Sequence, residues 1–429
     1  MDSSTTSSDE SFSPSLTSYE NETLRGAMVP SRSGSSTLVG PIGSSLVQQL
    51  AVDLPPCSVL VTPRDVCPGL PRYPAIGQFA MTASEEVVAA GPDGLFSFKR
   101  VNEHPSRPWS KPRPFPGTPL DNSSVSGIAL RESKSGGRLD VFCVADGKLH
   151  TFSRTKEKDA KAPPPSFVAD SSPPLATYRV SGTPSITTIK EASYGSFGER
   201  YGLVVPSRSG GLLHTSTTGP SSYWFSSGQT NAEWEPVNHV AKHLGIISAA
   251  TTATLKRGNL QVDIVAVCIV QGRLHSVEGP FIEPKSGIFS FTPGGWKGEK
   301  TDRIPHPGEV TGSPALLQEK LQEGQLDLLV PSAAGGIFHF VRIPSSPDEW
   351  HMIGRIDTPS YLPPAGSLDF FHLKLKNYFE DSKLRAAAEI GGRLYTIETL
   401  TLSSYSRPWP WRWRYLHPVI GPGPSHKEI

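Results

Sequence analysis

The stretch GRLDVFCVADGKLHTFSR, Gly137 to Arg154, decides the fold. It reads as two apolar runs joined at Asp146-Gly147, which is the pattern of a hairpin with a tight turn. The same arrangement returns as GQLDLLVPSAAGGIFHFVR, Gly324 to Arg342. Its core, a glycine followed two positions on by an apolar residue and then usually histidine, begins at Gly94, Gly147, Gly211, Gly272, Gly336 and Gly392, with steps of 53, 64, 61, 64 and 56 residues. A fixed period of that size is the signature of a repeat architecture and takes precedence over any local assignment.

Other features keep the same register. Every motif glycine is preceded by an apolar segment, such as EEVVAAGPDG, YGLVVPSRSGG, VDIVAVCIVQG and LRAAAEIGG. Further upstream a second glycine opens another apolar run, at Gly77, Gly127, Gly182, Gly245, Gly312 and Gly366. Downstream lies an aromatic stretch at Trp109, Trp234, Trp296, Trp350 and the cluster Trp409, Trp411 and Trp413, with Phe167 in the second unit. Each unit therefore reads as four strands, the run after the upstream glycine innermost and the aromatic stretch outermost. Units of four strands set radially solve the problem of exposed sheet edges. The expected fold is an all-β, six-bladed β-propeller with four antiparallel strands per blade over residues 71–420.

Outside it, residues 1–40 hold eleven Ser or Thr in the first twenty positions and read as a disordered tail. Residues 41–70 read as a connecting or ring-closing segment and 421–429 as a C-terminal tail. The string AMVPSRSG at Ala27 to Gly34 echoes LVVPSRSGG at Leu203 to Gly211 without companion strands. It is either a coincidence or a strand that completes the last blade.

The balance of 41 basic and 40 acidic residues gives no overall footprint for nucleic acid or an anionic membrane. The first basic residue is Arg25, after five acidic ones, which fits neither a signal nor a transit peptide, and no apolar run has spanning length. A cytoplasmic protein with reduced thiols is expected, so Cys57 and Cys67 are read as unpaired and the sequons at Asn21 and Asn122 as unused. Cys143 and Cys268 fall in second strands, as small buried hydrophobes.

Motifs for a nucleophile elbow, a phosphate loop, a dinucleotide fold, a zinc protease or a calcium loop are missing, so no cofactor and no metal is expected. His150, His214, His275 and His339 recur in equivalent places on separate blades and cannot converge on one ion. They are read as structural, each bonded within its blade. Asp140, Asp263 and Asp327 are read as hydrogen-bond acceptors at the start of second strands. His239 and His243 stand four apart in NHVAKHLG, where a helical turn would give both rings one face. In WPWRWRY, Trp409 to Tyr415, alternation puts the indoles on one face, a ladder that closes the ring.

In a propeller the segments entering the innermost strands and the turns joining second to third strands share one end of the axis. That mouth gathers Arg72, Tyr73, Asn122, Tyr178, His239, His243, His306, Glu309 and Tyr361 from the first set, and Asp93, Asp146, Arg208, Gln271 and Ser332 from the second. These polar types differ from blade to blade while the scaffold repeats. A single central site needs that contrast; a multivalent sugar binder needs the same clamp in many blades.

The recurring strings resemble the repeats of lectin-type propellers, including fungal fucose-binding ones. That resemblance implies carbohydrate binding through an arginine, an acidic residue and an aromatic in each blade, a trio that is not in register here. The Ser-rich N-terminus and non-repeating mouth are also similar to the fungal propellers of tropolone-sesquiterpenoid biosynthesis, which are hetero-Diels–Alderases. This second resemblance implies cofactor-free dehydration of a hydroxymethyl tropolone or phenol to a quinone methide, then cycloaddition to a humulene-type alkene. On that reading His239, His306, Glu309, Tyr73, Tyr178 and Tyr361 are the acid–base candidates, and Arg72, Asn122, Arg208, His243 and Gln271 hold the substrate. An arginine, Arg208 or Arg72, would stabilise developing oxyanion character. A glycan-binding module and a protein-interaction platform remain the alternatives.

Overall fold

A computed structural model describes residues 57–58, 74–82, 85–99, 109–115, 120, 124–132, 138–155, 166–190, 199–217, 234–257, 261–284, 291–293, 296, 298, 300–318, 325–343, 348–358, 360, 362–370, 385–399 and 413–420. The chain divides into two units, residues 1–45 and 46–429, and the described residues all belong to the second. Six sheets follow one another along it, each with its strands side by side in chain order.

Blade 1 comprises Phe79–Met81, Glu86–Gly91, Gly94–Lys99 and Arg113–Pro114; blade 2 comprises Val125–Glu132, Arg138–Ala145, Lys148–Thr155 and Val168–Ala169. Blade 3 is built from Ser185–Lys190, Glu199–Pro206, Leu212–Ser216 and Asn238–Val240. Blade 4 has Ala249–Arg257, Gln261–Val270 and Arg273–Pro284, the last paired with both Phe291–Pro293 and Lys300–Ile304. Blade 5 holds Ala315–Gln318, Leu326–Pro331, Ile337–Arg342 and His351–Asp357, and blade 6 Ser367–Phe370, Arg385–Ile390, Arg393–Thr399 and Trp413–Ile420. The pairing within each blade is antiparallel, as the sequence predicts.

The motif glycines are explained by the second-to-third turns. Asp146 and Gly147 have φ of 51° and 73°, and Gln271 and Gly272 have 49° and 69°. Two successive left-handed residues make the hairpin turn whose twist matches the strands, and glycine takes that conformation without strain.

Strand alternation sends neighbouring side chains to opposite faces, so each sheet packs against both its neighbours. In the second strand of blade 4, Ile264, Ala266 and Cys268 meet Val204, Leu212 and Val240 of blade 3. The intervening Val267 and Ile269 meet Leu328, Val330 and Phe338 of blade 5. Fully burying one such side chain contributes about 1.5–3 kcal/mol, so these seams hold the ring together. The last seam closes in the same way, Ala387 and Leu394 of blade 6 packing on Phe79, Val87, Phe96 and Trp109 of blade 1.

The aromatics serve these seams. In blades 1, 3, 4 and 5 the tryptophan stands ahead of the outermost strand and not inside it. The Trp234 ring meets Phe142 of blade 2 edge-on at 5.9 Å, and Trp296 meets His214 of blade 3 at 5.7 Å. Trp409 and Trp411 lie outside the described residues, and Trp413 opens the sixth outer strand. Within the 41–70 segment, Cys57–Ser58 pairs in parallel with the outer strand of blade 5, Cys57 opposite Ile356. The sixth sheet is completed by Trp413–Ile420. The expected tail at 1–40 and the echo at Ala27 to Gly34 lie outside the described residues.

Candidate functional site

Backbone hydrogen bonds bring the two loop sets to one end. The entering segment of blade 3 is tied to the turn of blade 2 by Val180 N–H to Gly147 O, 3.1 Å, and to its own blade by Ser181 N–H to Pro206 O, 2.9 Å. The pattern repeats with Val310 N–H to Gly272 O, 3.1 Å, and Thr311 N–H to Pro331 O, 3.0 Å, and across the closing seam with Ile76 N–H to Gly392 O, 2.9 Å.

At the level where the entering segments become innermost strands, the axis is bridged. Ser313 of blade 5 donates its hydroxyl to Gln78 Oε1 of blade 1 at 2.9 Å, and its Oγ lies 2.5 Å from Thr183 Oγ1 of blade 3. Three alternate blades thus meet in one hydrogen-bonded hub. Short side chains make the approach possible. The space a Cβ would take on Gly127 is filled by Thr183, and that on Gly182 by the backbone of Ser248.

Several of the sequence candidates that are described lie over two pairs of blades, while Asp93 stands alone in the exposed turn of blade 1. Over blades 2 and 3, the Arg208 guanidinium lies beside Gly147, Arg208 N–H bonds Arg179 O at 3.1 Å, and Tyr178 is exposed. Over blades 4 and 5, Glu309 runs along Gly272, next to Gln271, and His306 Nε2 accepts the Leu274 N–H at 3.2 Å. Burial, then the charge of Arg273, lowers the His306 pKa below the usual imidazole value. With one lone pair already committed, His306 is a brace for the third strand before it is a base. Arg72, Tyr73, Asn122 and Tyr361 lie outside the described residues.

One expectation is corrected. His239 belongs to the outer strand Asn238–Val240 and its Nε2 lies 2.7 Å from Gly210 O, whereas His243 sits on the separate 3-10 turn Lys242–Leu244. Ala241, at φ 52°, breaks the chain between them, so the two rings do not share a helical face.

The repeated histidines have diverged in environment. His339 Nε2 lies 2.9 Å from Asp327 Oδ1, both side chains buried, while His214 packs on Trp296. Asp140 is not a simple turn acceptor; it takes ion pairs from Arg131 at 2.8 Å and Arg138 at 2.6 Å. Arginine, acid and aromatic do come together, facing inward between blades. Arg154 pairs with Glu86 of blade 1 at 2.7 Å with its guanidinium 4.8 Å from the Phe167 ring centre, and Arg131 lies 4.1 Å from the ring centre of Tyr201.

The residue that sequence reasoning missed is Glu389. It is the last but one residue of the second strand of blade 6, where the equivalent backbone position is Ala90, Pro206, Ile269 or Pro331 in other blades. Its Oε1 accepts the Gly392 N–H at 2.8 Å, and its carboxyl occupies the space a side chain at Gly366 would need. Burial pushes its pKa from 4.5 to about 7, against the lowering effect of the Gly392 and Gly366 amides. A carboxyl half protonated near neutrality both gives and takes a proton. The signal was in the sequence: a single acid in a place the repeat reserves for apolar residues.

No family model matches the chain, and no curated protein does. Solved structures do match. AofleA from Arthrobotrys oligospora is 13% identical, with a TM-score of 0.50 over 86% of this chain and 95% of its own. A triple arginine-to-alanine variant of it gives 12%, 0.51, 86% and 96%. Aleuria aurantia lectin, solved with Fucalpha1-6GlcNAc, is 10% identical, with a TM-score of 0.46 over 82% of this chain and 100% of its own. At these identities the likeness to AofleA is one of fold alone.

Proposed function

We propose that this propeller is a cofactor-free small-molecule enzyme acting at the mouth, a hetero-Diels–Alderase that generates a quinone methide and joins it to a terpene alkene. The observation that carries the reading is Glu389, an acid tuned to about 7 beside the entering segment of blade 6. Protonated, it gives its proton to the leaving hydroxyl of a hydroxymethyl phenol or tropolone, and water departs. The resulting carboxylate takes the ring hydroxyl proton, which regenerates the acid and leaves the neutral quinone methide. Cycloaddition then forms one C–C and one C–O bond with no electron gained or lost overall. The protein's part in that step is to hold two reactants together, worth up to about 7–11 kcal/mol in well-oriented systems.

The inward arginines favour this reading over a repeated sugar clamp. Arg154 and Arg342 are buried and paired, with Glu86 and Glu278, so each guanidinium is held between blades and shielded from solvent. The test is Glu389→Gln, incubated with a hydroxymethyl tropolone and a humulene-type alkene and followed by mass spectrometry. Adduct formation should fall by about 10²–10⁴ while the variant stays folded, with a melting temperature no lower than that of the wild type. Wild-type turnover in the variant sinks the assignment of Glu389. If the wild type makes no adduct and instead binds fucosylated glycans on an array with stoichiometry above one, the lectin reading replaces it.

A further inference from the structure

The seam between blades 3 and 4 gathers cations at its mouth end. In blade 4 His275 stands directly opposite Arg303 on the neighbouring strand, so the two side chains share a face. Arg273, two residues before His275, takes the same face. That face is the one Val277 turns toward blade 3, where it packs with Val240 and Trp296. From blade 3 the 3-10 turn Lys242–Leu244 brings His243 close enough to act on His275. From blade 5, His306 stands against the Leu274 backbone and feels both Arg273 and Arg303.

Among the described residues, the side-chain charges that shift the two central imidazoles are positive. Besides burial, Arg303 and His243 depress His275, and Arg273 and Arg303 depress His306. Two acids lie nearby among the described residues, both exposed. Asp302, on the opposite face of its strand, pairs with Lys300 at 3.2 Å, and Glu309 lies along Gly272. Arg273, Arg303 and His243 remain exposed while His275 and His306 are half-buried. The cationic arc continues along the mouth through exposed Lys242, Arg208 and Arg179, in a chain whose net charge is only +1.

We infer that this corner is a binding site for an oxyanion, held by Arg273 and Arg303 and completed by protonation of His275. Guanidinium donors match the geometry of a carboxylate, sulfate or phosphate. Such a ligand would supply the negative charge that His275 lacks, so His275 would bind a proton as the anion arrives, while His306 keeps its lone pair on the Leu274 N–H. The inference stands apart from any catalytic role for Glu389, which lies in blade 6.

The experiment uses the full chain with millimolar sodium sulfate, and with sodium acetate as a second arm, against sodium chloride at matched ionic strength. Sulfate keeps its charge between pH 6 and pH 8, so any pH dependence belongs to the protein. Sulfate should bind more tightly at pH 6 than at pH 8, and Arg273→Gln with Arg303→Gln should weaken it about tenfold or more. Because both arginines are exposed, the double variant should melt as wild type in chloride. A single His275→Gln variant should keep some affinity and lose the pH dependence. A response to acetate and not sulfate would assign the site to carboxylates. If neither anion binds, or if both stabilise wild type and the double variant equally, the site does not exist, since sulfate excluded from the surface stabilises any protein without a site.

Discussion

Asp369 of the last blade accepts the amide proton of Met81 in the first, Oδ2 to N 2.7 Å, across 288 residues of chain. The innermost strand of blade 1 has no further strand on its axial side, and a carboxyl from the neighbouring blade supplies the missing acceptor. The same device recurs where Ser185 Oγ of blade 3 takes the Thr252 N–H of blade 4 at 2.9 Å. Side chains thus cap the inner edges that no backbone can reach.

That arrangement makes ring stability depend on pH. Burial raises the Asp369 pKa from 3.8 to about 7 and that of Glu389 from 4.5 to about 7. In the unfolded chain both ionise near pH 4, while the folded protein holds the protons. Their stabilising share is full below pH 4 and is lost as pH rises through about 7, because the unfolded state alone has released its protons across that window. Asp369→Asn keeps an acceptor for Met81 and cannot ionise. Its melting temperature, compared with wild type at pH 5 and pH 8, should gain most at pH 8; an equal change at both would refute the link.

The ion pair between Arg154 and Glu86 joins blades 2 and 1 with both side chains under a tenth exposed. Removing one partner leaves a buried charge alone, so Arg154→Met or Glu86→Leu should each cost about 3–5 kcal/mol. Making both changes should recover most of that loss. Denaturant unfolding of the four proteins of this cycle decides the matter, and additive single losses would show that the charges do not interact.

Cys143 and Cys268 are buried, and burial alone raises each thiol to about 12. Their thiolate fraction at pH 8 is therefore negligible. Alkylation with iodoacetamide in native buffer at pH 8, followed by peptide mapping, should leave both unmodified until denaturant is added. Modification in the native state would mean that the second strands of blades 2 and 4 open locally.

Much of this protein was legible in advance because its signals are local. The hairpin in Gly137 to Arg154 needs only alternation and a left-handed turn, and both are written within eighteen residues. Placing the two loop sets at one end followed from strand direction alone. His239 and His243 misled because spacing cannot reveal a left-handed residue such as Ala241 between them. Glu389 lies in a strand and not in a loop, so its break with the apolar repeat is the one local mark it carries.

What the sequence by itself determined is the number of blades, the order of strands within each and the faces they bury, since a period-two pattern repeated at blade length has one radial solution. Only the tertiary structure decided how the axis is bridged, because Ser313 meets residues 130 and 235 positions away in blades that are not its neighbours. It also set the proton affinities of Asp369 and Glu389 and the crowd of cations around His275. Those depend on distance and on exclusion of water, and neither quantity exists in the chain until the ring has closed.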